Sequence, residues 1–113
     1  MSGSILFNLK EVLSTLNIPL ETGTFKDPAP DEYLVLTPIT DGFDVFADNL
    51  PDYEVSEVRI SMFTKSNYIQ RKNQITKLLL LSGFTITGRW YVEYEQDTGY
   101  HHYTIDAAKE YKF

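Results

Sequence analysis

Trp90-Tyr-Val-Glu-Tyr-Glu-Gln-Asp97-Thr98-Gly99-Tyr-His-His-Tyr-Thr-Ile105 decides how the rest of the chain is read. Aromatic and β-branched residues alternate with polar ones on both sides of Asp97-Thr98-Gly99. Asp accepts a local backbone hydrogen bond and Gly takes φ > 0, as a tight turn requires. The stretch predicts a β-hairpin. With Asp97 to Tyr100 as a four-residue loop, Tyr94 faces Tyr103, Val92 faces Ile105, Trp90 faces Ala107 and His102 lies across from Glu95. This register gathers one apolar stripe on one face, and a slip of one residue would break it.

Upstream of the hairpin, Thr85 onward reads as strand, with Gly88 as a bulge. Before it, Tyr68, Lys72, Ile75, Leu79 and Leu78, Ser82 lie along adjacent ridges of a helix. Ser66 or Asn67 caps that helix at its start, with Gln70 three residues after Asn67, and Gly83 supplies a left-handed C-cap. The run Leu78-Leu-Leu-Leu81 implies burial on two sides, against the sheet and against either the first helix or a partner subunit. Glu54 to Lys65 is the longest clear strand, with Val58, Ile60 and Met62 on one face and Glu57, Arg59, Ser61 and Phe63 on the other; Phe63 breaks the polar face. Asn49-Leu-Pro-Asp52 and Asp41-Gly42 are turn signals on either side of a short strand, Phe43 to Asp48. Tyr33 to Ile39 is a strand that opens the sheet, and Pro38, which has no amide donor, marks an edge, a bulge or the strand's end. Glu21 to Pro30 reads as a connector.

At the other end of the chain, Ile5, Leu6, Leu9, Val12, Leu13 and Leu16 recur at helical spacing between Ser4 and Asn17, and Pro19 ends that helix. Beyond the hairpin, Ala107 to Phe113 is a strand extension or a short helical end. The fold class is α+β, with a sheet of four to five strands, antiparallel or mixed in order, packed by two helices in the sequence α-β-β-β-α-β-β. The 113 residues suit one domain, 1–113, large enough to bury most of the apolar surface of its unfolded chain.

Composition removes several classes of function. No cysteine is present, which excludes disulfides, thiolate metal sites and a cysteine nucleophile and suits a reducing compartment. The N-terminus lacks a basic region before its apolar residues, and no apolar run approaches the ~18 residues of a membrane span, so neither secretion by a signal peptide nor membrane insertion is expected. A formal net charge of −6 opposes general nucleic-acid binding, even though Lys65, Arg71, Lys72 and Lys77 are candidates for a basic helix face.

No catalytic constellation is legible. His101 and His102 are neighbours in a strand and face opposite sides, and no third ligand is spaced to complete a metal site with either. The acidic stretch from Asp41 to Glu57 places Gly42 directly after its first Asp, unlike a calcium loop, and reads as a solvated strand edge. No Gly-rich phosphate loop, serine elbow or zinc-protease motif occurs. Catalytic, cofactor-binding and metal-binding residues are therefore none, and no cofactor is expected. An enzyme would need a pocket joining His101 or His102 to carboxylates such as Glu93 or Glu95, and loss of activity in a well-folded His102→Ala variant would reveal it. Eight Tyr, seven Phe and one Trp are many for this length. Such a surplus either fills a small core or marks protein contacts.

Four segments carry a resemblance: Asp31-Glu-Tyr-Leu-Val-Leu-Thr-Pro-Ile39, Phe46-Ala-Asp-Asn-Leu-Pro51, Val55-Ser-Glu-Val-Arg-Ile-Ser-Met-Phe-Thr-Lys-Ser-Asn-Tyr68 and Asp97-Thr-Gly-Tyr-His-His-Tyr103. In order and spacing they resemble small tail terminator, or tail completion, proteins of the head-to-tail joint in tailed phages and prophages of Gram-positive bacteria. The resemblance covers most of the chain after Glu32. It implies a virion structural protein, not an enzyme, present in the host bacterial cytoplasm during assembly. Such a protein caps the tail tube as a ring, usually hexameric, and docks to the head connector or stopper. The implied partners are copies of itself, the tail tube protein and the connector, with no membrane and no sequence-specific nucleic acid. The Asp41 to Pro51 and Glu95 to Tyr103 hairpins are then the contact elements, with Phe43, Phe46, Tyr91, Tyr100 and His102 as candidate contact residues. Two other readings stand beside it: a stopper or adaptor of the same neck region, and a host-directed acidic protein-binding module.

Overall fold

The computed structural model describes residues 4–24, 29–43 and 52–112. Ser4 opens the first helix, α1 (Ile5–Leu13), by accepting a hydrogen bond from the Phe7 amide at 3.1 Å. That satisfies one of the donors that a helix start leaves without an intrahelical partner. A 3₁₀ turn, Ser14–Leu16, follows, and Asn17 takes a left-handed φ of 58° before Pro19. The second helix, α2 (Tyr68–Leu81), is capped by Asn67, whose side chain accepts from the Gln70 amide at 3.1 Å. It ends at Gly83, which has φ of 90°, and the Phe84 amide returns to the Leu79 carbonyl at 3.0 Å. Both ends of α2 are thus set by the residues that the sequence nominated.

The strands are β1 (Leu20–Thr22), β2 (Glu32–Phe43), β3 (Tyr53–Thr64), β4 (Thr85–Glu95) and β5 (Tyr100–Lys112). They form one sheet in the order β1-β2-β3-β5-β4, with β1 parallel to β2 and the remaining pairs antiparallel. The expected α+β class, with two helices and a mixed sheet, is observed. One strand, β1, is not an expected one, and β2 runs longer than expected.

Asp41 and Gly42 do not turn; they continue β2, opposite Ser56 and Val55. The Asp41 carboxylate accepts the Ser56 hydroxyl at 2.7 Å across the ladder, and an irregularity between Pro38 and Thr40 absorbs the proline. With its side chain bonded to the next strand, Asp41 has no call on a local turn. Of the strand expected over Phe43 to Asp48 only Phe43 is described. Leu20–Thr22, which overlaps the start of the expected Glu21–Pro30 connector, pairs in parallel with Leu34–Leu36.

One face of the sheet meets both helices. Leu9 and Leu13 of α1 and Ile75 and Leu79 of α2 pack with Leu34, Leu36, Ile60, Met62 and Ile105, all essentially inaccessible to solvent. Burial of each such side chain is worth about 1.5–3 kcal/mol. A polar link fastens α2 to the strands beneath it: Arg71 holds Glu32 through Nη2–Oε1 at 2.7 Å and Nε–Oε2 at 3.0 Å, while Thr64 donates to the same carboxylate. The Leu78–Leu81 run is not buried on two sides within this chain, because Leu80 is 55% and Leu81 77% exposed. No helix among the described residues is long and apolar enough to cross a membrane.

The hairpin register also departs from expectation. Its loop is Gln96–Gly99, and the Glu95 carbonyl accepts the Gly99 amide at 2.7 Å while Gly99 takes φ of 84°. Glu95 therefore faces Tyr100, Tyr94 faces His101 and Glu93 faces His102. Past an irregularity at Val92, Tyr91 pairs with Tyr103 and Trp90 with Thr104. Glycine in the left-handed position closes the turn one residue earlier than alternation suggested. Burial of Tyr100, which is 6% exposed, holds it there. Ala107 to Lys112 extends β5, which settles the C-terminal segment as strand.

Candidate functional site

Side chains alternate along a strand, so the chain neighbours of Ile60 and Met62 project from the opposite face, where no helix packs among the described residues. Tyr33, Phe63, His102 and Glu93 stand in consecutive ladder positions there, one from each of β2, β3, β5 and β4. Tyr33 stacks on Phe63 with centroids 4.8 Å apart, and Phe63 stacks on His102 at 4.2 Å with 22° between the rings. Tyr100 meets Tyr33 and Phe63 edge-on at 5.4 and 6.3 Å, and donates its hydroxyl proton to the Pro30 carbonyl. Such contacts add to simple burial and hold the rings in one arrangement. Lys65 lies 4.9 Å over the Tyr100 ring and 3.5 Å from Asp31.

Farther along the same face, Arg59 binds Asp106 with two hydrogen bonds of 2.9 and 3.0 Å and lies 5.0 Å over the Trp90 ring. Asp106 is nearly buried. The hydrogen bonds to Asp106 and the attraction of its charge raise the guanidinium pKa above its already high value. Thr87, from the irregular start of β4, donates to Glu57.

At the β4–β5 end, His102 carries the one anomaly. Its Nε2 is buried with no hydrogen-bond partner, and burial pushes the imidazole pKa below its usual value against the opposing pull of Glu95 and Glu93. One ligating atom each from Glu93, Glu95 and His102 lie within 4.8 Å of one another. Thr98 steadies Glu95 by donating to Oε1 at 2.9 Å. The expected register set Glu95 across from His102; in the structure Glu93 takes that position and Glu95 stands two residues farther along the strand.

The candidate contact residues are dispersed. Phe43 ends β2 and is 53% exposed. Phe46 lies outside the described residues. Tyr91 is on the helix side of β4, with its hydroxyl 2.9 Å from His101 Nδ1 and its ring 4.9 Å from Tyr68 of α2. Tyr100 and His102 share the helix-free face, but Tyr100 is packed beneath Tyr33 and Phe63. Of the four that are described, only these two come together. Tyr33, Arg59, Phe63, Trp90 and Glu93 were not singled out as contact residues. The signal for Phe63 was its position as an aromatic that breaks the polar run Glu57, Arg59, Ser61 of β3, and Tyr33 pairs with it directly.

Near the free end of the sheet, an open groove of about 300 Å³ runs between Gly23 and Phe63, lined by hydroxyls of Thr24, Thr37 and Ser61. Among the described residues it offers hydrogen-bonding hydroxyls and no charged group. No protein-family model matches the chain, and no curated protein matches it. The functional reading rests on its motifs and its geometry.

Proposed function

We propose that this protein is a structural component of a phage or prophage virion at the tail or head–tail joint, and specifically a tail terminator. It assembles as a ring, hexameric on the tail, caps the tail tube and docks to the head connector. The observation that carries the reading is a two-layer fold that leaves recognition surfaces uncovered. A sheet face without helices is joined to an outer strand, β4, whose Trp90, Tyr91, Val92 and Tyr94 are each about 40–50% exposed. Aromatic residues on such a surface suit burial against neighbouring subunits. Exposed Leu80 and Leu81 on α2 provide a second apolar patch on the other side of the molecule. Two different patches let identical subunits associate head to tail and close into a ring.

Stopping tube growth requires only that one ring face match the tube end and the other reject a further tube subunit. No chemistry is needed. Electron microscopy of particles from an induced prophage lacking this gene, with and without the protein supplied in trans, tests the proposal. Filled heads lying apart from tails of abnormal length are expected. Separated tails of normal length would reassign the protein to another joining role, and normal infectious virions would overturn the assembly reading in favour of a host-directed binding protein.

A further inference from the structure

We propose that Glu93, Glu95 and His102 form a binding site for one divalent transition-metal ion of the zinc class. The inference is independent of ring assembly. The three side chains bring one ligating atom each to within 4.8 Å of the others. Tetrahedral ligands about 2.1 Å from a zinc ion lie about 3.4 Å apart, so closure needs roughly 1 Å of side-chain adjustment. Glu93 is exposed and free to make it.

The backbone creates this convergence. Had β4 and β5 continued in regular register from the Tyr91–Tyr103 pair, Val92 would face His102, and Glu93 and Glu95 would project from the helix side. The extra residue at Val92 reverses that, placing Glu93 opposite His102 and Glu95 two positions farther along the same face. A bulge that re-aims side chains is a recurrent device beside functional sites.

Two further observations point to a cation. His102 Nε2 is buried without a partner, an arrangement that costs free energy unless something binds the nitrogen. No ion pair among the described residues involves Glu93 or Glu95, so two carboxylates stand together uncompensated. One imidazole and two carboxylates suit zinc, cobalt(II) or manganese(II) better than calcium or magnesium, which favour oxygen donors alone. Phe63 fixes the plane of the ring by stacking, and Thr98 orients Glu95. Water completes the coordination shell on the solvent side.

Cobalt(II) titration of the chelator-stripped full chain, followed by visible absorption and repeated with zinc by calorimetry, tests the site. One saturable ion per chain is expected. His102→Gln and the double variant Glu93→Gln/Glu95→Gln should each weaken binding by at least about tenfold, while His101→Ala should leave it unchanged. The glutamine pair keeps size and polarity at side chains that reach solvent, so it decides the matter if His102→Gln fails to fold by circular dichroism. Absence of saturable binding, unaltered affinity in the glutamine pair, or equal loss in His101→Ala would overturn the assignment.

Discussion

Among the described residues Asp106 is the one buried carboxylate: it lies at a central position of β5, 7% exposed, with both oxygens held by Arg59. Removing the guanidinium strands a nearly buried charge. Arg59→Met is expected to lower the unfolding free energy by about 2 kcal/mol, and Asp106→Asn in that background should recover part of the loss; urea unfolding measures both. Tyr111 makes a different kind of prediction. Its hydroxyl donates to Asn8 Oδ1 of α1 at 2.6 Å, and burial raises its pKa above the ordinary phenol value. Above a pH of about 10 the unfolded chain releases this proton before the folded one does. The contribution is therefore complete below that pH and is lost as pH rises through the raised value. Tyr111→Phe should lose stability less steeply than the native protein between about pH 9.5 and 11, and equal slopes in urea midpoints would refute the assignment.

Among the elements, β4 lies at one edge of the sheet, and its irregularities at Thr87 and Val92 interrupt the flat hydrogen-bonding row that another strand would pair with. Its amides should exchange with deuterium well ahead of those of β3 and β5, which have neighbours on both sides. Comparable protection across the three would mean that another chain covers this edge. On α2, Leu80→Glu/Leu81→Glu should shift stability by less than about 0.5 kcal/mol while weakening self-association in sedimentation. An undiminished oligomer would remove this patch from the proposed ring contact. Helices were legible in the sequence because caps and stops are local: Ser4, Asn67 and Gly83 act within one turn of where they stand. The long β3 strand was equally legible from the alternation of Val58, Ile60 and Met62 against Arg59, Ser61 and Phe63. Register was not. Nothing local says that Val92 will be skipped or that Asp41 will bond to Ser56 instead of turning, because both follow from pairing with a distant strand. The pairing of Glu93 with His102 stayed hidden for that reason.

The whole molecule measures 53 × 26 × 23 Å, with a radius of gyration of 15.2 Å. A compact chain of this length has a radius of about 13 Å, so the long strands draw it out. The strand order has a consequence for synthesis. β5 follows every other element in sequence but lies between β3 and β4. While a ribosome is still making residues before Tyr100, β3 has an open flank and β4 has nothing to join. The sheet completes only when the hairpin's second arm slides into the gap, so β4 stays unjoined to β1–β3 until β5 emerges. Terminating the chain at Gly99 should accordingly abolish cooperative unfolding and leave the hydrogen-bonding edge of β3 without its neighbour.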